Sequence, residues 1–355
     1  MVNGKFTVGT IIKGKELKEY TLVKILTDDM VMRGFQYHMG MNEDVNLLAR
    51  TGSCEAGLYF CRAESICRYL DYGTKLAVVS IPDDEDVYVD KNKFRTHRLV
   101  IRKVMHLKEI STWEYLCKKG TNIMDKSNYA VRYASENGHI EVLKYLYKNG
   151  ADITAEGNLA VRYASGNGHL EVVKYLYENG ADITVDDNFA VRYAAENGHL
   201  EVVKYLHKNG ADIMVCNNYA IRYAAENGHL EVVKYLYENG ADITARCNYA
   251  VRYAAENGHL EVVKYLHNNG ADITAKENDA VRYAAENGHL EVVKYLYENG
   301  AEITLTGDVA VREAAKNGYL DVVDYLHKNG VDITKVKDML NNQADNVEEE
   351  IFPFE

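Results

Sequence analysis

The chain has 355 residues, 47% of them hydrophobic and 26% charged, with a formal net charge of −12, enough for more than one domain. No run of 18 apolar residues reads as a membrane span, and residues 1–20 lack the apolar stretch and cleavage site of a signal peptide. Six cysteines spread thinly over this length make no disulfide scaffold, so a reducing, cytoplasmic setting is expected.

Residues 1–97 read as a small α+β domain of low regularity. Leu58-Tyr59-Phe60 forms a short strand, and residues 63–72 form a helix closed by Gly73. Residues 76–81, LAVVSI, form a buried strand stopped by Pro82 and the acidic turn DDED. Val87-Tyr88-Val89 and residues 99–101 read as further strands. Cys54, Cys61 and Cys67 are not spaced like zinc pairs, and His38 and His97 lie far from them. Neither GxxxxGK[ST] nor GxSxG occurs. Thus no catalytic, metal or cofactor residue is assigned. The basic run Lys91, Lys93, Arg95, Arg98, Arg102, Lys103 is either a contact for nucleic acid or an acidic partner, or a solvated strand edge.

From residue 128 the sequence repeats with a period of 30, the signature of a stacked array. An Asn recurs at 128, 158, 188, 218, 248 and 278, and Asp308 opens a seventh copy. Each copy reads as two short helices. The Asn is expected to cap the first. Ala130, Val131 and Ala134 give that helix one apolar stripe, and Gly138 ends it in the left-handed cap position. The second helix runs roughly over residues 139–149 with Ile140, Leu143 and Leu146 as its stripe, and Gly150 ends it. Helices this short are marginal alone. Stacking buries their stripes between neighbours, so stability comes from the junctions between copies.

Charge is uneven along the chain. Residues 1–127 hold 20 Lys and Arg against 17 Asp and Glu, residues 128–337 hold 21 against 30, and residues 338–355 hold none against 6. The acidic repeats repel phosphate, which argues against nucleic acid as a partner. The tail 338–355 is expected to be disordered.

The segments GHLEVVKYL and NGAD, at residues 228–236 and 239–242, resemble the second helix and following turn of the ankyrin repeat. The resemblance covers seven copies: 128–157, 158–187, 188–217, 218–247, 248–277, 278–307 and 308–337. It implies a mainly α solenoid of paired helices beside the small α+β domain. Residues 98–127 contain a degenerate half-copy, EYLCKKGTNI at 114–123, read as a capping repeat. Ankyrin units usually run 33 residues. The missing three imply shortened β-hairpin fingers. The family's opening His is replaced by Arg at 132, 162, 192, 222, 252, 282 and 312. Where the family's turn often carries an Asn modified by hydroxylases, this chain has Thr154, Thr184, Met214 and Thr244, which leaves no such substrate. The wording of residues 52–104, together with VRYAAENGHLEVVKYL, is similar to ankyrin-repeat proteins encoded in large numbers by mimivirus-like giant DNA viruses. The resemblance therefore implies a host-cell cytoplasmic location.

The family resemblance implies a non-enzymatic, monomeric protein–protein interaction scaffold, binding a host or viral protein through the concave face and turn tips. Two other readings stay open: a catalytic or sensing N-terminal domain delivered by the repeats, and a structural virion component. Specificity needs positions that differ between copies. These are the turn tips Glu156, Asp186, Asp187, Asn217, Arg246, Lys276 and Glu277, and the residue after the opening Asn: Tyr129, Leu159, Phe189, Tyr219, Tyr249 and Asp279. The same differences also suit unconstrained surface drift. The Arg ladder either tracks phosphates or pairs with nearby acids and loop carbonyls. The tyrosines at 145, 175, 205, 235, 265, 295 and 325 either grip a partner or pack between repeats. The Gly-His pairs suit turn hydrogen bonds better than metal, because each His is isolated by 30 residues.

Overall fold

The computed structural model describes residues 6–44, 57–302, 307–334 and 336. Cys54, Thr306 and the acidic tail lie outside the described residues. The chain divides into two compact units, one of residues 1–164 with 171–182, the other of residues 165–170 with 183–355.

The first unit opens with an antiparallel sheet of eight strands. Their ranges are β1 (Ile11–Lys13), β2 (Leu22–Leu26), β5 (Gly40–Glu43), β6 (Leu58–Arg62), β7 (Lys75–Ser80), β8 (Asp86–Val89), β9 (Phe94–Thr96) and β10 (Arg98–His106). The spatial order is β1-β8-β9-β6-β2-β7-β10-β5, and a separate hairpin pairs β3 (Val31–Met32) with β4 (Phe35–Gln36). This domain is more regular than its sequence suggests, because many strands are too short to show alternation. Strand β2 is buried at all five positions, which hides its period. Strand β10 belongs to this sheet rather than to the helices after it, and Leu99, Ile101 and Met105 of it are buried. Phe6, Phe60 and Phe94 anchor the core, with Phe60 stacked on Phe94 at 5.5 Å.

The expected helix over 63–72 is a ten-residue 3-10 helix, Ala63–Tyr72. Gly73 closes it with extended backbone; a Cβ there would lie 2.2 Å from the Leu26 carbonyl oxygen. The basic run is dispersed. Arg95 is buried against the Tyr88 ring, Arg98 pairs with Glu85 at 2.7 Å, and Arg102 donates to Ser80 Oγ at 2.8 Å. The strand-edge expectation does not hold, because β9 and β10 are each flanked by strands on both sides; these arginines are engaged inside the domain rather than gathered as an open phosphate site.

The repeats come next as alternating helices. They are α1 (Ile110–Lys118), α2 (Asp125–Glu136), α3 (Ile140–Lys148), α4 (Ala155–Gly166), α5 (Leu170–Glu178), α6 (Val185–Glu196), α7 (Leu200–Lys208) and α8 (Val215–Glu226). Then come α9 (Leu230–Glu238), α10 (Ala245–Glu256), α11 (Leu260–Asn268), α12 (Ala275–Glu286), α13 (Leu290–Glu298), α14 (Gly307–Lys316) and α15 (Leu320–Lys328). In the second unit first helices pack on first helices (α6, α8, α10, α12, α14), and second helices on second helices (α7, α9, α11, α13, α15). Ala220, Ile221, Ala224, Val232, Val233 and Leu236 are fully or almost fully buried in these junctions. The second-helix stripe is shifted from the expected one: Val142, not Ile140, is buried beside Leu143 and Leu146.

In the first unit the front of the repeats is closed by two segments from different parts of the chain. The 3-10 helix Ala63–Tyr72 packs on α2, and α1 packs on α3. Arg68 makes a two-pronged ion pair with Asp125, at 3.0 and 3.1 Å, and Thr121 Oγ1 donates to the Ala63 carbonyl at 2.8 Å. Trp113 of α1 is fully buried, its indole N–H donating to the Leu107 carbonyl.

Candidate functional site

The repeated Asn is not an N-cap, contrary to its sequence pattern. In the second unit Asp186, Asp187 and Asn188 have φ of 52, 51 and 57°, a single left-handed turn leading into the right-handed helix. The triplets Cys216-Asn217-Asn218, Arg246-Cys247-Asn248 and Lys276-Glu277-Asn278 repeat that geometry. Left-handed backbone costs roughly 1–2 kcal/mol per L-residue, so it needs support. Three residues of tight turn stand where a longer finger would, and no strand lies between the described repeat helices.

Two side chains provide the support. Asn188 Oδ1 accepts the amide of Asp212 in the next turn at 2.9 Å, and Asn218, Asn248 and Asn278 accept those of Asp242, Asp272 and Glu302 at 2.9 to 3.0 Å. Asp242 Oδ1 in turn accepts the Thr244 amide and hydroxyl at 2.8 and 2.7 Å. The ladder arginine holds the other side of the turn. Arg222 Nε donates to the Asn217 carbonyl at 2.9 Å and Nη2 to that of Cys216 at 3.1 Å. Arg192 does the same to Asp187 and Asp186, and Arg252 to Cys247. The planar guanidinium matches two successive carbonyls of the left-handed turn. The loop-carbonyl reading of these arginines therefore holds.

Beside each arginine runs an aromatic stripe. Phe189 stacks on Tyr193 at 4.1 Å, Tyr219 on Tyr223 at 4.0 Å and Tyr249 on Tyr253 at 4.0 Å. Neighbouring copies connect through Tyr223 to Tyr249 at 5.7 Å and Tyr253 to Tyr283 at 6.1 Å. Arg192 lies 4.9 Å from the Tyr219 ring centroid and Arg222 lies 4.8 Å from that of Tyr249, within cation–π range. Tyr219 and Tyr249 donate their hydroxyls to Glu196 and Glu226 of the preceding copy. Asp279 replaces the aromatic in the next copy and instead receives Arg252 at 3.1 Å and Arg282. Glu256, at the place of Glu196 and Glu226, consequently has one buried carboxylate oxygen with no hydrogen-bond donor. Burial, with Glu226 and Glu286 nearby, raises its pKa above the ordinary glutamate value.

In the first unit the same positions carry Tyr129, 3.8 Å from the Arg132 guanidinium, and Leu159, half-buried. The structure thus separates the expected partner-binding positions into two groups. Glu156, Asp186, Asp187, Asn217, Arg246, Lys276 and Glu277 are exposed at the turns. The residues after the Asn are half-buried, and Tyr219, Tyr249 and Asp279 among them are engaged with the preceding repeat. The stripe positions Tyr163 and Tyr193, 38% and 39% exposed, were not singled out from the sequence. Their signal was the same periodic tyrosine, masked by the constant VRYAA wording.

The other ladders make contacts between repeats. Second-helix tyrosines pair across junctions, His207 Nδ1 with Tyr235 Oη and His267 Nδ1 with Tyr295 Oη, both at 2.9 Å, and Tyr237 edge-on to Tyr265. His199 Nε2 bonds the Gly166 carbonyl at 3.0 Å. No cluster of His, Cys, Asp and Glu among the described residues could hold a metal.

Sequence signatures described as ankyrin repeats in three copies match residues 103–187 and 251–337, and signatures described as ankyrin repeats in many copies match 191–236 and 221–267. The chain belongs to the ankyrin-repeat family. Its relatives include an uncharacterized protein of Acanthamoeba polyphaga mimivirus, 29% identical over 127 residues, 34% of this chain and 92% of that protein. Two ankyrin-repeat proteins of the same virus are 28% identical over 137 residues and 31% over 128 residues. Those matches span 36% and 33% of this chain, and 67% and 42% of the relatives. The resemblance to mimivirus ankyrin-repeat proteins is thus shown. Ankyrin repeats as a class support protein–protein interaction. No helix among the described residues is long and apolar enough to cross a membrane.

Proposed function

We propose that this ankyrin-repeat protein is a non-enzymatic scaffold that binds a host or viral protein in the host cytoplasm. Its contact surface is the turn tips together with the first-helix face, the concave side in the ankyrin architecture. The observation that carries the reading is that the turns keep one backbone while their exposed tips change charge. They run from Asp186-Asp187 through Asn217 to Arg246 and Lys276. A constant frame with variable exposed letters is the arrangement that specific recognition requires. The arginines are engaged by turn carbonyls and aromatic rings, which weighs against a phosphate backbone as the ligand.

Affinity capture from infected-cell lysate tests this with the full chain against a variant whose tips all carry Asn. Loss of one captured protein on changing the tips supports the reading. Retention of that protein by the tip variant, with loss on changing the sheet domain, would overturn it.

A further inference from the structure

A cavity of about 230 Å³ opens in the sheet domain, lined among the described residues by positions from Val23 to Lys93. Phe35, Tyr37, Tyr59, Phe60, Tyr69 and Tyr72 give it flat aromatic walls. Lys24, at the centre of β2, reaches it with only 4% of its surface exposed. Its ammonium donates to the Tyr59 carbonyl at 2.9 Å and lies 3.6 Å from Met32 Sδ and 4.6 Å from the Tyr37 ring centroid. Two more cations gather at the same wall: Arg33 lies 5.6 Å and Lys93 4.3 Å from the Tyr59 ring centroid.

A buried ammonium needs a counter-charge or extensive hydrogen bonding. No carboxylate forms an ion pair with Lys24 among the described residues. Burial, reinforced by Arg33 and Lys93, lowers its pKa to about 7. Asp44 also lines the cavity, and its Oδ2 accepts the Gly57 amide at 3.0 Å.

We propose that this cavity binds a small aromatic carboxylate, its ring between the tyrosines and its carboxylate on the Lys24 ammonium. Aromatic walls suit a flat ring through stacking and edge contacts. The anion supplies the counter-charge that β2 and its neighbours lack. A neutral ligand of the same shape offers the Lys24 ammonium no counter-charge, and a cationic one is repelled by it; Lys93 already lies 3.8 Å from the Asp90 carboxylate, so Lys24 is the group the anion serves. This site is independent of the repeats and goes beyond the scaffold reading.

Titration calorimetry on the full chain with benzoate, phenylacetate and indole-3-acetate, each against its primary amide, tests it. At least one carboxylate is expected to bind with a Kd under about 1 mM, and its amide at least tenfold more weakly. Lys24→Met should weaken the carboxylate at least tenfold without lowering the melting temperature. Lys93→Gln, at the cavity wall, should weaken it by a smaller factor and serves if Lys24→Met does not fold. Equal affinity for acid and amide, no binding by any carboxylate, or full affinity in both variants would each overturn the proposal.

Discussion

Tyr249 donates its phenolic hydroxyl to the Glu226 carboxylate at 2.7 Å, across the junction between two consecutive repeats. The bond is charge-assisted and half-buried, so its loss leaves a carboxylate poorly solvated. Tyr249→Phe keeps the ring stacked on Tyr253 and removes only the donor. We expect a loss of about 1–2 kcal/mol in urea unfolding. Unchanged stability would mean that solvent replaces the phenol without cost.

Glu256 lacks that donor, because residue 279 is Asp. Its folded-state pKa is raised, first by burial and then by Glu226 and Glu286. Between the ordinary glutamate value and the raised one, the folded chain binds more protons than the unfolded chain, so stability falls as pH rises through that window. The penalty is fully present above it. Glu256→Gln should therefore stabilise the protein at pH 7 and give no gain below the window. An increment independent of pH, measured by thermal melts across the acid range, would refute this.

The arginine ladder makes a sharper demand. Arg222 satisfies two turn carbonyls with one planar fork, which a lysine ammonium cannot reproduce. Arg222→Lys should cost about 1–3 kcal/mol, nearly as much as Arg222→Ala. Full rescue by lysine would show that charge beside the tyrosines, rather than the fork, is what matters.

Gly198 combines a φ of +79° with a close neighbour: a Cβ there would lie 2.5 Å from His229 Nδ1. Gly198→Ala should destabilise by about 1–3 kcal/mol through left-handed strain and overpacking together. Adding His229→Ala should recover only the overpacking part. Strict additivity of the two changes in a double-mutant cycle would contradict the contact.

Leu236 is fully buried in the middle of the repeats. Leu236→Ala should leave a cavity costing about 2–5 kcal/mol and broaden unfolding, since each copy is stabilised mainly by its neighbours. A melt as sharp and as high as the wild type would count against the stacked-helix account of that position.

The repeats were legible because every junction is written several times. Ala130, Val131, Leu143 and Leu146 sit where their period places them, and the glycine stops fall where expected. The left-handed turn was not legible. Asp186-Asp187-Asn188 contains no glycine, so the usual marker of positive φ is missing, and Asn188 reads as a cap because Asn is good at both tasks. What decides between them is the amide of Asp212, 24 residues away. The cavity at Lys24 was equally hidden. A lysine within LVKIL looks like an edge position until β6 and β7 are seen flanking it. For the expected partner-binding positions, variation marked the exposed tips but could not tell them from Tyr219 and Tyr249, whose hydroxyls are already committed.

The two-part closure at the front has a consequence for how such a gene can change. Duplicating thirty codons inside the array is self-consistent, since each new copy carries both the surface its predecessor needs and the one its successor needs. The first copy has no such freedom. It meets Arg68 and Asp71 of the 3-10 helix on one side and α1 on the other, surfaces that occur once in the chain. On this geometry the interior can change in length by whole copies, while the leading copy must keep its fit to the sheet domain.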